Sequence, residues 1–255
     1  VRPKIKIFLV IALVFACLLA AAIAWASETL TVQASFEPDK LGAPTNVSVT
    51  GKFASTTPSP PSPITHITVY LPAGLEIDTR GEGTCTVAKL EEVGPSGCPA
   101  DSRIGFGGGM GLLELAKEII DEPFTVDIFL GPSEDGHLVL LVYVDGVSPA
   151  VVELVLKAQE IQAPKPYGIG FSVAVPPIPT LPEAADASVE SAFLTFGARN
   201  VAYYQTVHGR RKLLHVRGVV VPKTCPRGGF QMQATIDFAD GTSLTVDPTI
   251  PCPGK

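Results

Sequence analysis

The stretch Phe230 to Phe238 reads FQMQATIDF. It places Phe230, Met232, Ala234, Ile236 and Phe238 on one side and Gln231, Gln233, Thr235 and Asp237 on the other. A period of two is the period of a β-strand with one dry and one wet face, and no helix can bury such a set. The same alternation runs through TLTVQASF, where Leu30, Val32, Ala34 and Phe36 oppose Thr29, Thr31, Gln33 and Ser35. It returns in NVSVTGKF, with Val47, Val49 and Phe53 on the apolar side. THITVYL and FTVDIFL follow it less strictly, and HLVLLVYV is apolar on both faces, as expected of a strand covered on both sides. Asp135-Gly136, Asp145-Gly146, Asp240-Gly241 and His208-Gly209 have the residue types of tight hairpin turns. The 24 prolines and 24 glycines suit a chain of many short strands and loops. The expected fold is therefore all-β. It is an antiparallel β-sandwich of immunoglobulin-like or jelly-roll-like kind, or two sandwiches sharing a core, with one or two short helices. TVAKLEEVG, closed by Gly94, is the expected helix, and LLELAKEIID (112–121) fits either a helix or a strand.

The first 26 residues have another character. Arg2, Lys4 and Lys6 precede an uncharged apolar run from Ile7, and Ala24-Trp25-Ala26 is the small-x-small pattern that a signal peptidase reads. Residues 1–26 are expected to be a signal peptide, with Ser27 starting a mature region of 27–255. Left uncleaved, the run is long enough for a single-pass anchor with the rest of the chain outside. Either way the expected location is extracellular or at the cell surface. Without the leader, 16 Lys and Arg face 25 Asp and Glu, a net charge of −9. Such a chain repels phosphate backbones, so nucleic acid is not an expected partner. A membrane is expected only through the uncleaved N-terminal segment.

Four cysteines then remain, and in an oxidising compartment they admit three pairings. They fall into two local pairs, Cys85 with Cys98 and Cys225 with Cys252, and three of them precede a proline, which biases them towards extended backbone. Two local disulfides are expected. Zinc is not, because the chain has no CxxC and no nearby histidine pair.

The run GFGGGMG from Gly105 to Gly111 poses the sharpest question. It lacks the spacing of a dinucleotide fingerprint and the Lys-Ser or Lys-Thr of a phosphate loop. The remaining reading is a strand that lets another backbone approach closely, or a bulge. No nucleophile elbow, HExxH or calcium loop occurs, and His66, His137, His208 and His215 each have a surface reading. No catalytic residue, cofactor or metal site is expected. A tentative binding surface comprises Tyr167, Tyr203 and Tyr204, the exposable aromatic candidates, with Arg210 and Arg211 at a basic hairpin tip.

LPAGLEID, then GPSGCPADSRIGFG, then VPKTCPRGGF and a closing PCP resemble a group of exported, β-rich proteins of high-GC Gram-positive bacteria, over roughly residues 64–252. The resemblance implies export, disulfides and β-structure, and it carries over no activity. The expected function is a non-enzymatic structural or binding role at the bacterial cell envelope, with an envelope protein or polysaccharide as partner. A secreted carbohydrate hydrolase is the first alternative and would need two carboxylates facing each other across a cleft. A lipid-binding envelope carrier is the second and would need an apolar cavity between the sheets.

Overall fold

In the computed structural model the described residues are 28–56, 59–115, 118–146, 148, 151–177, 187–197, 202–215 and 218–253. The alternating segments form strands. In chain order these are β1 (Glu28–Glu37), β2 (Pro44–Ser55), β3 (Ile64–Pro72) and β4 (Glu76–Asp78), then helix α1 (Val87–Val93). There follow β5 (Arg103–Leu115), β6 (Glu118–Leu130), β7 (Val139–Gly146), β8 (Val152–Ile161), β9 (Tyr167–Ala174) and β10 (Ser188–Phe196). The chain then makes β11 (Ala202–Val207), β12 (Arg210–His215), β13 (Gly218–Val220), β14 (Phe230–Gln231), β15 (Gln233–Phe238), β16 (Ser243–Val246) and β17 (Thr249–Ile250).

Thirteen of these strands share one sheet in the order β16-β15-β3-β9-β8-β7-β6-β5-β10-β2-β13-β4, with β1 also paired to β2. Every pairing is antiparallel. β5 to β9 form a plain meander, and the flanking strands arrive from both ends of the chain. β1 and β16, from opposite ends of the sheet, make contact. The sheet therefore curls back on itself, and the two layers of this sandwich-like, all-β fold belong to one hydrogen-bonded sheet. Curling hides the edges that a flat sheet would offer to other chains.

The alternation decides what lies inside. Phe36 of β1 and Val47 of β2 are opposite each other in register, and both are buried. Phe36 meets Phe230 edge-to-face at 5.4 Å between ring centroids, and Phe53 meets Phe238 at 6.3 Å. Ile104, Val126, Ile128 and Leu130 form a third part of the interior with Leu140 and Val142. β7 is covered on both faces, as its double-sided apolarity requires. Val139, Leu141 and Tyr143 lie beneath α1, with Leu90, Phe129 and Cys85.

Helix α1 begins at Thr86, whose side chain accepts a hydrogen bond from Lys89 N, and it stops at Gly94. The ambiguous segment 112–121 is strand: Leu112 pairs with Asp121 and Leu113 with Ile120 in the β5–β6 hairpin. Asp135-Gly136 and His208-Gly209 are turns with positive φ at both residues. Asp145-Gly146 is a correction to the sequence reading: both residues continue β7, paired to Glu153 and Val152. Glycine is there for space, not for a turn, since a Cβ on Gly146 would lie 3.0 Å from a carboxylate oxygen of Glu122. FQMQATIDF is likewise split: Phe230 and Gln231 pair with β17, Met232 N donates to the Pro248 carbonyl, and Gln233 onwards joins β3 and β16.

Two disulfides join Cys85 to Cys98 and Cys225 to Cys252. The first ties α1 to the start of β5, and the second joins the loop after β13 to the chain after β17. Their presence points to an oxidising compartment. Among the described residues no helix is long and apolar enough to cross a membrane.

Candidate functional site

β5 carries the feature from which the site is built. Its outward positions include Phe106, half-exposed, and Met110. Its inward positions are Gly105, Gly107, Gly109, Gly111 and Leu113, so four successive inward residues have no side chain. Neighbouring strands occupy the space over the first three. A Cβ on Gly109 would come 2.6 Å from the Phe124 ring and would overlap the Ser191 carbonyl; one on Gly107 would overlap the Phe193 carbonyl and Leu194. β10 shifts register at Val189/Ser191 beside this strip. Close backbone approach and a bulge are what the sequence suggested for these glycines.

Gly111 differs. A Cβ there would sit 3.3 Å from Glu122 O and 3.4 Å from Ser188 O, with nothing closer. The space in front of it is a cavity of about 140 Å³, partly open to solvent. One wall is Phe124 and Val144, which pack on the cluster around Val126 and Ile128. The other is Ile64, Ile67 and Val189, which pack on the cluster of Phe53, Ile236 and Phe238. Val152, Leu154 and Leu156 of β8 close a third side. The cavity thus occupies the gap where the two halves of the interior do not meet. It lies at the end of the sheet marked by Gly146, Val152, Val175 and Ser188.

Two polar residues reach this wall, and both turn their polar atoms elsewhere. Glu122, 4% exposed, accepts a hydrogen bond from Ser148 N at 3.0 Å. Ser188 donates to the Pro61 carbonyl, part of the proline-rich segment that crosses this end of the sheet. What they leave on the cavity side is carbon, and the surface is apolar throughout. The cavity's volume is about that of an apolar cavity that accepts a benzene-sized molecule. The arrangement can hold a ring or the last few carbons of a chain while the rest of a ligand leaves through the opening.

Of the surface residues expected from the sequence, Tyr204, Arg210 and Arg211 share one hairpin, and Tyr167 belongs to β9. Tyr167 stacks on Tyr70 at 5.5 Å and 20°, with its hydroxyl 3.4 Å from Asp247. Burial, and then Asp247, raise its phenol pKa. Tyr204 and Arg211 belong to a separate two-stranded hairpin, β11–β12, with the guanidinium 4.2 Å from the ring centroid. Arg210 is exposed at the tip of that hairpin, and the Tyr203 side chain lies outside the described residues.

Carboxylates gather around Glu82, and also around Tyr143, where burial and then Glu153, Asp145 and Asp127 raise the phenol pKa. Glu82 sits near Asp78 and Asp101, and its pKa is pushed up to about 7, first by burial and then by those two charges. Asp78 is held by Arg80 through bonds of 2.8 and 2.6 Å. None of these groups borders the cavity. Among the described residues no group of three His, Cys, Asp or Glu is arranged to hold a metal ion. Sequence reasoning missed the cavity and Glu122. The signal for it was the period-two row of glycines ending at Gly111, which bares one wall.

Together these features define an all-β, disulfide-tied protein with an apolar cavity between its layers. No protein-family model matches the chain, and no curated protein or solved structure is similar to it.

Proposed function

We propose that this is a non-enzymatic binding protein of the bacterial cell envelope that carries an apolar ligand in the cavity beside Gly111. The ligand class is a lipid or other amphiphile that buries one ring or one chain end. The supporting observation is a cavity whose two polar neighbours, Glu122 and Ser188, are engaged away from it. The paired cysteines support an oxidising compartment. The hydrolase reading has less support, because the carboxylates around Glu82 do not line the cavity.

Binding is tested with the exported protein and an environment-sensitive apolar probe, N-phenyl-1-naphthylamine, competed by single-chain fatty acids. Gly111→Val, whose side chain would occupy the opening, should weaken probe binding at least tenfold; its Cβ would stand 3.3 Å from the Glu122 carbonyl, so urea unfolding verifies that the variant is folded. Unchanged probe binding in a folded Gly111→Val protein would remove the reading. Hydrolysis of a polysaccharide by the exported protein would replace it with the enzymatic one.

A further inference from the structure

The β11–β12 hairpin stands outside the 13-stranded sheet, and among the described residues its two strands pair only with each other. Its composition is unlike that of the rest of the chain. From residue 191 to residue 236 there is no Asp or Glu and there are seven Lys or Arg, in a protein whose net charge is −6. Arg210, Arg211 and Lys212 follow the tight turn at His208-Gly209, and all three are exposed. Among the described residues no carboxylate pairs with any of them. Directly opposite each other in register, three pairs back from the Val207–Arg210 pair at the tip, are Tyr204 and Leu213. These are 60% and 48% exposed and lie side by side, so they form a joined apolar patch and not single scattered residues. Arg211 lies over the Tyr204 ring, so one face carries an aromatic ring, an aliphatic side chain and a cation together.

We infer that this hairpin docks on an anionic lipid bilayer, with the basic tip among the headgroups and Tyr204 and Leu213 at the interface. Each half of the face contributes. The cations are drawn to the negative surface potential, each by enough to change partitioning about fivefold. Tyrosine, with an apolar body and a polar end, sits at the headgroup level. A soluble polyanion would use the cations but would leave the Tyr204–Leu213 pair in water, and this favours the bilayer. The acidic remainder of the protein is repelled by the same surface, so contact is confined to the hairpin and the molecule is oriented by it. The inference does not rest on the cavity. Ser188 at the cavity and Phe196 at the hairpin side are the two ends of β10, roughly 26 Å apart at about 3.3 Å per residue.

The test places a reporter at the docking face. Leu213→Trp in the exported protein, read against the parent, should give a blue-shifted, stronger emission with phosphatidylglycerol vesicles and no change with phosphatidylcholine vesicles. Raising salt should weaken the response. Adding Arg210→Ala, Arg211→Ala and Lys212→Ala should lower partitioning on the order of a hundredfold. Tyr204→Ala should lower it severalfold while leaving the salt dependence in place. All these positions are exposed, so the variants keep the fold, and an unchanged disulfide map verifies it. An equal response to phosphatidylcholine, or none to either vesicle, overturns the inference. So does full competition by soluble polyphosphate with no blue shift, which would make the hairpin a polyanion site. Gly111→Val leaves the vesicle response untouched, so this inference and the carrier reading can fail separately.

Discussion

The ring of Phe124 on β6 lies across the bare backbone of Gly109 on β5, so close that a Cβ on that glycine would come 2.6 Å from the ring. The two residues are directly opposite in register. The contact shows what the glycine strip is for: neighbouring side chains lean over β5 and fill the interior that β5 itself leaves empty.

Gly107→Ala and Gly109→Ala should therefore be severe, because the added methyl meets backbone carbonyls that cannot move without breaking β5–β10 pairing. A loss of about 3 kcal/mol or more, or failure to fold, is expected. Gly111→Ala should cost less than either, since its added methyl would stand 3.3 Å from the nearest carbonyl oxygen, against 2.2 Å at Gly107 and 2.0 Å at Gly109. Urea unfolding of the three variants side by side checks the order; equal losses would show that the strip is not packed as described.

The Cys85–Cys98 bond closes a loop of 14 residues and the Cys225–Cys252 bond one of 28, given separations of 13 and 27. Loop-closure entropy assigns them about 3 and 3.6 kcal/mol. Removing the first should also loosen the cap over β7, because Cys85 is buried beside Leu90 and Phe129. Leu90→Ala alone should cost about 3 kcal/mol by the cavity it leaves. Peptide mapping without reductant should recover both pairs and no crossed one.

Glu82 gives the folded state a proton that the unfolded chain does not hold between pH 4.5 and 7. A carboxyl whose folded pKa is raised stabilises less as pH rises, so stability should fall across that window. Burial and the charges of Asp78 and Asp101 disfavour its ionised form, while Arg80 is engaged with Asp78. Glu82→Gln should flatten the decline of melting temperature between pH 5 and pH 7, with values for both proteins compared at matched salt. A steeper decline in the variant would contradict the assignment.

A ligand that fills the cavity binds only the folded chain and stabilises it. At a free concentration a hundred times its Kd, the gain is about 2.7 kcal/mol, which for a chain of this size is a rise in melting temperature of about 5–10 °C. The rise should be seen with a fatty acid and should vanish in Gly111→Val. Calorimetry with and without the ligand measures both.

Much of this fold was legible because period-two alternation is a local property. Leu30 to Phe36 and Phe230 to Phe238 announce strands from their own residues. Thr86 and Gly94 announce the ends of a helix in the same way. Local reading failed at Asp145-Gly146, where a pair that usually turns is held straight by β8 on one side and β6 on the other. It also could not choose for residues 112–121, since only pairing of Leu112 with Asp121 makes that segment a strand.

The cavity belongs to the other category. Gly111, Glu122, Ile67 and Val189 are distant in sequence, and nothing in any one of them signals an apolar space. Alternation, turn chemistry and cysteine spacing act over a few residues, so the amino-acid order alone determined the strands, the antiparallel class and the two local cross-links. Which strands became neighbours, which of the four bare positions left room, and which way Glu122 and Ser188 turned depended on contacts closed only when the sheet rolled up. Those were decided by the tertiary structure, because the space between side chains is a property of packing and not of the chain.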